Sequence, residues 1–385
     1  MAAFEFIDTP GALHRFLERT ADERVFALDT EFIREKTFYA KLCLVQVRAG
    51  EHIACVDPLA IENLEPLWER LEAPETLILL HAGRQDLEVI FQASGRIPEP
   101  VFDTQIAAAL CGYGDQVGYA ALVRTVLGID LDKSMTRADW ARRPLPPDAL
   151  DYAAEDVRYL CELHDHLVER LRELGRENWL APELASLTDP ANYSPDAGDA
   201  WRRIRGAARL KPKEVAILKA LAEWREQEAI RLDRPRQWLL KDDTLIFLAQ
   251  RPPRNMAELA AVRGIDERFV GRNGEALIHL IEHAKNAAPP EDLPVDKPRL
   301  TPGQEAQTDL LMAALRAIAE DAALAPASIA SRKDLERLVR GERDLDLLHG
   351  WRLAAAGERL LAVIEGRLAL AATPEGLRFL PLSQQ

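Results

Sequence analysis

At 385 residues, with 48% hydrophobic and 29% charged side chains, the chain has the composition of an ordinary soluble protein and room for two or three domains of roughly 100 to 200 residues each. No apolar run approaches the roughly 18 residues that span a bilayer, and the opening "MAAFEFIDTP" lacks the basic-then-apolar order of a signal peptide, so no membrane association and a cytoplasmic location are expected. The net charge of -14 argues against a uniformly basic surface for a polyanion, although Trp201–Lys241 alone carries twelve Lys and Arg against five Asp and Glu.

The first 190 residues alternate strand-like and helix-like segments, which predicts an α/β domain. "RVFALDTEF" precedes "KLCLVQVRAGEHIACVD", whose two apolar runs flank an Ala49-Gly50 turn, so three successive antiparallel strands are expected. A helix near "IENLEPLWERLE", the short apolar run "TLILLH" and a helix starting near Arg84 come next. "PVFDTQIAAALCG" reads as a short strand entering a helix, with Asp103 as its N-cap. "PPDALDYAAEDVRYLCELHDHLVERLREL" is the longest helical pattern of this region, with an apolar stripe of Leu150, Ala153, Val157, Leu160, Cys161, His164, Val168 and Leu171. His164 within that stripe is read as a packed core histidine.

Beyond residue 190 the strand patterns end. "TDPANYSPDAGDAW" reads as a linker, and helical segments at about 210–285 and 302–375 flank the proline-rich spacer "NAAPPEDLPVDKP". The two segments look alike: "AILKALAEWREQEA" and "LLKDDTLIFLA" have counterparts in "LLMAALRAIAEDAA" and "IASRKDLERLV", which suggests a duplicated helical bundle. Cys43, Cys55, Cys111 and Cys161 are far apart in apolar contexts, so neither a disulfide nor a zinc site is expected.

Two carboxylates interrupt the apolar strand "VFALDTEF". The strand period of two points Asp29 and Glu31 the same way, about 7 Å apart along the chain. Asp86 in "HAGRQDLEVI" stands in the first turn of a helix, where the macrodipole alone favours an acid. In the long helical pattern, Tyr152 and Asp156 are neighbours four residues apart at the edge of the apolar stripe, while Glu155 projects elsewhere.

"LDTEF", "HAGRQDLE" and "YAAEDV", in this order, closely resemble the three exonuclease motifs of the DEDD superfamily, in its tyrosine-containing branch. With the paired helical appendage similar to HRDC domains and "WRRIRGAARLKPKE", nearly the whole chain resembles the bacterial ribonuclease D family. The resemblance implies an RNase H-like α/β exonuclease domain with a mixed sheet of five strands, followed by two all-α HRDC-like bundles; the domains are expected at 1–195, 210–287 and 302–385. It also implies Asp29, Glu31, Asp86 and Asp156 as metal-binding carboxylates, with Tyr152 beside them. Phe32 lies where related exonucleases contact the terminal nucleotide, and core packing fits it equally.

Four converging carboxylates repel one another and raise their pKa values unless a cation neutralises them. An all-oxygen donor set favours two Mg²⁺ or Mn²⁺ ions, hence two-metal phosphodiester hydrolysis. The resemblance implies that the activity is 3′ to 5′ trimming of RNA, with tRNA precursors bearing 3′ extensions among the substrates and nucleoside 5′-monophosphates as products, and a monomer is the default expectation. Trp201, Arg202, Arg203 and Arg205 are candidate RNA-backbone contacts. "EKTFYAK" fits either stacking on an unpaired 3′ end or an exposed loop. A DNA 3′ to 5′ exonuclease and a non-catalytic RNA-binding scaffold are the alternative readings.

Overall fold

A computed structural model describes residues 4–131, 138–194, 196–290, 293 and 299–382. The chain forms two compact units. The first comprises the chain up to Glu31, Leu42–Asp189 and the described residues from Arg299 on; the second comprises Phe32–Lys41 and the described part of 190–298.

The first unit is built on a mixed sheet of six strands, β1 (Phe4–Ile7), β2 (Val25–Ile33), β3 (Lys41–Ala49), β4 (His52–Val56), β5 (Leu77–Leu80) and β6 (Val101–Asp103), in the spatial order β1-β4-β3-β2-β5-β6. Strand β4 runs antiparallel to β3 and parallel to β1, and β5 lies parallel to both β2 and β6. The expected five strands become six because the four residues "FEFI" add an edge strand, pairing Phe4–Ile7 with Ile53–Val56. So short a segment offers too few alternations for its periodicity to be read. Strand β2 sits inside the sheet, with Phe26, Ala27 and Leu28 fully buried, so Asp29 and Glu31 extend from an anchored backbone.

Helices α1 (Pro10–Arg19), α2 (Glu65–Leu71), α3 (Arg84–Ser94), α4 (Thr104–Cys111) and α5 (Tyr119–Leu127) follow the strands. The long helical pattern is two helices, α6 (Pro147–Arg158) and α7 (Leu160–Glu173). The break has a visible cause. The Tyr119 hydroxyl accepts from Tyr159 N at 3.0 Å and donates to Glu155 O at 2.9 Å, inserting itself where the helical N–H to C=O bond would run. The apolar stripe shifts at this point. Leu160, Leu163, Leu167 and Leu171 are buried in α7, in place of the expected Cys161, His164 and Val168. His164 is half-buried, edge-on to Phe102 with ring centroids 4.6 Å apart, and its Nδ1 lies 2.9 Å from the Asp165 carboxylate.

Asp103 is the expected N-cap and more. Its carboxylate accepts from Gln105 N and Ile106 N at the start of α4, and from Ala82 N (3.2 Å) and Gly83 N (2.8 Å) in the turn that launches α3. A Cβ at Gly83 would come within 2.7 Å of the Leu80 side chain, so the turn needs glycine to pass that close to β5.

Three of the cysteines are buried and all four are free thiols. Among the described residues no helix is long and apolar enough to cross a membrane.

The second unit holds α9 (Pro212–Arg231), α10 (Arg236–Leu239), α11 (Asp242–Gln250), α12 (Met256–Ala260) and α13 (Glu267–Asn286), after α8 (Glu177–Thr188) has closed the N-terminal region of the first unit. The supposed linker is part of this core: Ala200, Trp201, Ile204 and Ala207 are buried against Val215, Leu218 and Leu221 of α9 and their neighbours. In the first unit, α14 (Pro302–Asp321), α15 (Pro326–Ile329) and α16 (Arg332–Val339) repeat the lengths of α9, α10 and the start of α11 at an offset of 90 residues. Even the positive φ of Asp233 (46°) recurs at Ala323 (49°). The duplication then diverges. A helix α17 (Gly350–Arg352) passes through a π turn at Leu353–Gly357 into α18 (Glu358–Ile364), and the chain ends in an antiparallel hairpin, β7 (Leu368–Thr373) with β8 (Gly376–Pro381). The second bundle is therefore not all-α. "LALAATPEGLRFLP" turns at Pro374-Glu375, and its regular cross-strand pairing from Leu368–Pro381 to Thr373–Gly376 replaces the expected helix to residue 375.

This bundle packs on α8 and α4. The Trp179 and Trp351 rings stack with centroids 4.8 Å apart at 12°, Glu183 accepts from Trp351 Nε1 and from both terminal nitrogens of Arg352, and a Cβ at Gly112 would meet Ala323 O at 2.4 Å. Asp103→Ala should destabilise the protein by about 2–3 kcal/mol, since several N–H groups at two helix starts lose a charged acceptor. Urea denaturation measures this, and a loss below about 0.5 kcal/mol would show the bonds to be dispensable.

Candidate active site

Asp29 and Glu31 from β2 and Asp156 from α6 offer carboxylate oxygens that all lie within 4.8 Å of one another. Strand alternation supplies two of these ligands and the last turn of α6 the third. Asp86, in the first turn of α3, is held beside them differently: its Oδ1 accepts from Thr30 N at 3.0 Å and Thr30 Oγ1 at 2.6 Å. Thr30 stands between the two strand acids, so one short segment of β2 carries two acids and fastens a third. Tyr152, one helical turn before Asp156, is hydrogen-bonded to its carboxylate.

The electrostatics follow from crowding like charges in a buried place. Burial first, and then the charges of Asp86, Asp156 and Glu31, hold Asp29 well above the usual carboxylate range. Glu31 is pushed up to about 8 by burial and then by Asp156 and Asp86. Asp156 rises to about 7, through burial and then through Glu155 and Asp86. Asp86 rises to about 6, because burial outweighs the lowering effect of its hydrogen bonds from Thr30. Burial also raises the Tyr152 phenol, and the charges of Asp156, Glu31 and Asp29 add to this. Among the described residues, no lysine or arginine charge is one of the main influences on Asp29, Glu31 or Asp156. Oxygen donors with unbalanced negative charge, and neither sulfur nor imidazole among them, fit a hard divalent cation.

Comparison with known proteins agrees with this geometry. Residues 4–172 match the 3′–5′ exonuclease family and residues 214–281 the HRDC domain. The chain is 39% identical over 371 residues to ribonuclease D of Gluconacetobacter diazotrophicus, covering 94% of this chain and 93% of that protein. It is 40% identical over 368 residues to ribonuclease D of Sphingobium indicum, covering 93% and 94%. The chain belongs to the ribonuclease D family. Its structure is similar to the crystal structure of Escherichia coli RNase D, an exoribonuclease involved in structured RNA processing, with TM-score 0.81 and 31% identity over 94% of this chain and 99% of that one. As a member of this family it is a 3′–5′ exoribonuclease with a nucleic-acid substrate, and the family's chemistry uses divalent metal ions.

The residues expected to touch RNA are less uniform than the acids. Trp201 is 1% exposed in the core of the second unit, so its indole has no face to offer a ligand; the polar "linker" sequence hid an apolar anchor. Arg202 is exposed but lies over the Trp201 ring and pairs with Asp199 at 2.9 Å. Arg203 reaches the buried Glu226 at 3.3 Å, which makes it part of the bundle's ionic scaffold. Arg205 is exposed and Phe32 half-buried.

Two residues of this ribonuclease D site were not singled out from the sequence. Thr30 gave a signal only through its place between the strand acids. Tyr119 gave none, because its role depends on α5 meeting the junction of α6 and α7.

Raised carboxylates tie stability to pH. The folded state holds protons that the unfolded chain has released, so the stabilisation is complete below about pH 4 and is lost as pH rises through about 7 to 8. Melting temperatures in EDTA should therefore fall between pH 5 and 8.5, and divalent metal should restore them most at the alkaline end; a flat metal-free profile would contradict the mutual repulsion. Thr30→Val removes the 2.6 Å bond to Asp86 while keeping the side-chain shape, and should raise the metal concentration for half-maximal activity at least about tenfold. An unchanged metal titration would exclude Thr30 from supporting the site.

Proposed function

We propose that this enzyme trims RNA from unpaired 3′ ends, with 3′-extended tRNA precursors among its substrates, as a cytoplasmic monomer. Asp29, Glu31, Asp86 and Asp156 hold its divalent ions, Mg²⁺ or Mn²⁺. The observation that carries the reading is the convergence of the half-buried Asp29, Glu31 and Asp156, whose carboxylate oxygens lie within 4.8 Å of one another. The exonuclease unit spans 1–195 in this reading, with HRDC-like domains at 210–287 and 302–385.

When bound, such ions lower the pKa of an attacking water and stabilise the leaving 3′ oxygen. The chain's own residues do the rest. Strand β2 fixes the spacing of Asp29 and Glu31, and α3 and α6 bring the other two carboxylates to the strand from either helix terminus. Thr30 holds Asp86 against rotation by two hydrogen bonds. The Tyr119 hydroxyl ends α6 immediately after Asp156, fixing the helix turn on which that ligand stands.

Tyr152 orients the attacking water by hydrogen bonding and does not take its proton. A phenol raised above its ordinary pKa of 10 stays protonated at neutral pH and makes a poor base there. It also loses little by donating to Asp156 until substrate arrives. Arg205 and Phe32 remain the RNA contacts proposed from the N-terminal half and the basic stretch, with Arg202 and Arg203 contributing positive potential from their paired positions.

Purified enzyme given Mg²⁺ or Mn²⁺ with 3′-extended tRNA, single-stranded RNA and single-stranded DNA should release nucleoside 5′-monophosphates from the RNAs. Asp29→Asn should lower kcat by at least about 1000-fold, the scale of losing a central electrostatic group. Tyr152→Phe should lower kcat by about 10- to 100-fold with KM within about twofold. Full activity of Tyr152→Phe would defeat the role given to the phenol, and a preference for DNA would defeat the substrate assignment.

A further inference from the structure

Phe32–Lys41, the continuation of catalytic strand β2, belongs to the second unit, where Asp233 anchors it. Asp233 adopts a left-handed conformation at φ 46°, which aspartate tolerates, and its Oδ1 accepts from Phe38 N at 3.0 Å and Tyr39 N at 3.3 Å. The Arg236 guanidinium lies 5.4 Å from the Phe38 ring centroid, and it is itself held by the buried Glu226 at 3.0 Å. The result is a pinned loop that leaves Tyr39 40% exposed, edge-on to Phe38. Two residues beyond Arg236, Trp238 of α10 is 61% exposed, the highest exposure of any large apolar side chain among the described residues.

The internal duplication provides a comparison within one molecule. At the offset of 90 residues, Asp233 corresponds to Ala323 and Trp238 to Ser328. In the second bundle this corner is spent on packing: Ala323 O abuts Gly112, Arg176 donates to Ala322 O, and Ser328 Oγ meets Asp115 at 3.2 Å. Its residues are small. In the first bundle the corner presents a tryptophan among cations, with four Lys and Arg against one acid from 231 to 241, and three against one from 34 to 41, in a chain of net charge -14. That one acid between 231 and 241, Asp233, is engaged with the loop.

We propose that Trp238 and Tyr39 offer stacking surfaces to unpaired bases of single-stranded RNA. Exposed aromatics set among cations suit a single-stranded polyanion: each base offers a π face whatever its identity, and the basic residues meet the phosphates. The stacking rests on the single-stranded substrate proposed above. It adds affinity for longer strands and takes no part in the bond-breaking step, so it is read out in binding and KM.

The test uses the full-length chain and a 5′-fluorescein oligo(A) 12-mer. In an Asp29→Asn background, which prevents hydrolysis, Trp238→Ala and Tyr39→Ala should each weaken binding about tenfold at moderate salt, and Trp238→Phe should restore it to within about threefold. In active enzyme Trp238→Ala should raise KM for the 12-mer by a similar factor, with kcat on it and cleavage of a dinucleotide unchanged. The inference is overturned if Trp238→Ala binds the 12-mer like the parent, if the dinucleotide suffers the same loss, or if binding is insensitive to salt. Failure of the parent enzyme to shorten the 12-mer would count against the single-stranded substrate proposed above, and the binding arm would still decide the stacking.

Discussion

The crowding of partly desolvated carboxylates on β2, α3 and α6 is the constraint on which the rest of this structure depends. Asp29, Glu31 and Asp156 bring carboxylate oxygens within 4.8 Å of one another, and the charge of Asp86 acts on Asp29 as well. A flexible scaffold would relieve such a strain by moving the acids apart. Here two of them stand on an inner strand with fully buried neighbours, and the others on helix turns fixed by Thr30, Asp103 and Tyr119. The electrostatic cost is met by packing, and the pocket is left with a strong demand for divalent cations.

The fastenings share a physical theme. Each is a polar side chain that takes up backbone groups at an interruption in regular structure: Asp103 at the entries to α3 and α4, Tyr119 between α6 and α7, Asp233 at the corner after α9. Interruptions expose N–H and C=O groups that require partners, and a side chain from another segment that supplies them also fixes where that segment lies. The catalytic geometry is thus set by hydrogen-bond satisfaction at breaks as much as by the apolar core.

The duplicated bundle shows how one local fold serves two purposes. Equal helix lengths and a shared left-handed corner point to one ancestral pattern. In the second copy small residues let that corner pack tightly against the end of α4 within the same unit, and the chain adds a hairpin; in the first copy aromatic and basic residues occupy the equivalent positions. Side-chain size decides between packing and exposure, because a backbone approach such as that of Ala323 O to Gly112 excludes anything larger than hydrogen.

The sequence by itself determined the chemistry. The strand period set Asp29 and Glu31 side by side, the helical period chose Asp156 over Glu155 and put Tyr152 next to it, and the order of the three motifs identified the family. These features are local, and local periodicity survives in a one-dimensional string. Tertiary structure decided what depended on distant partners. Trp201 proved a core anchor although its neighbours are basic, because Ile204, Val215 and Leu218 close over it. The helix broke after Asp156 because a hydroxyl from α5 entered its ladder, and the edge strand "FEFI" formed because β4 offered an unpaired edge. Burial and hydrogen-bond competition arise between segments far apart in sequence, and only the folded chain brings those segments together.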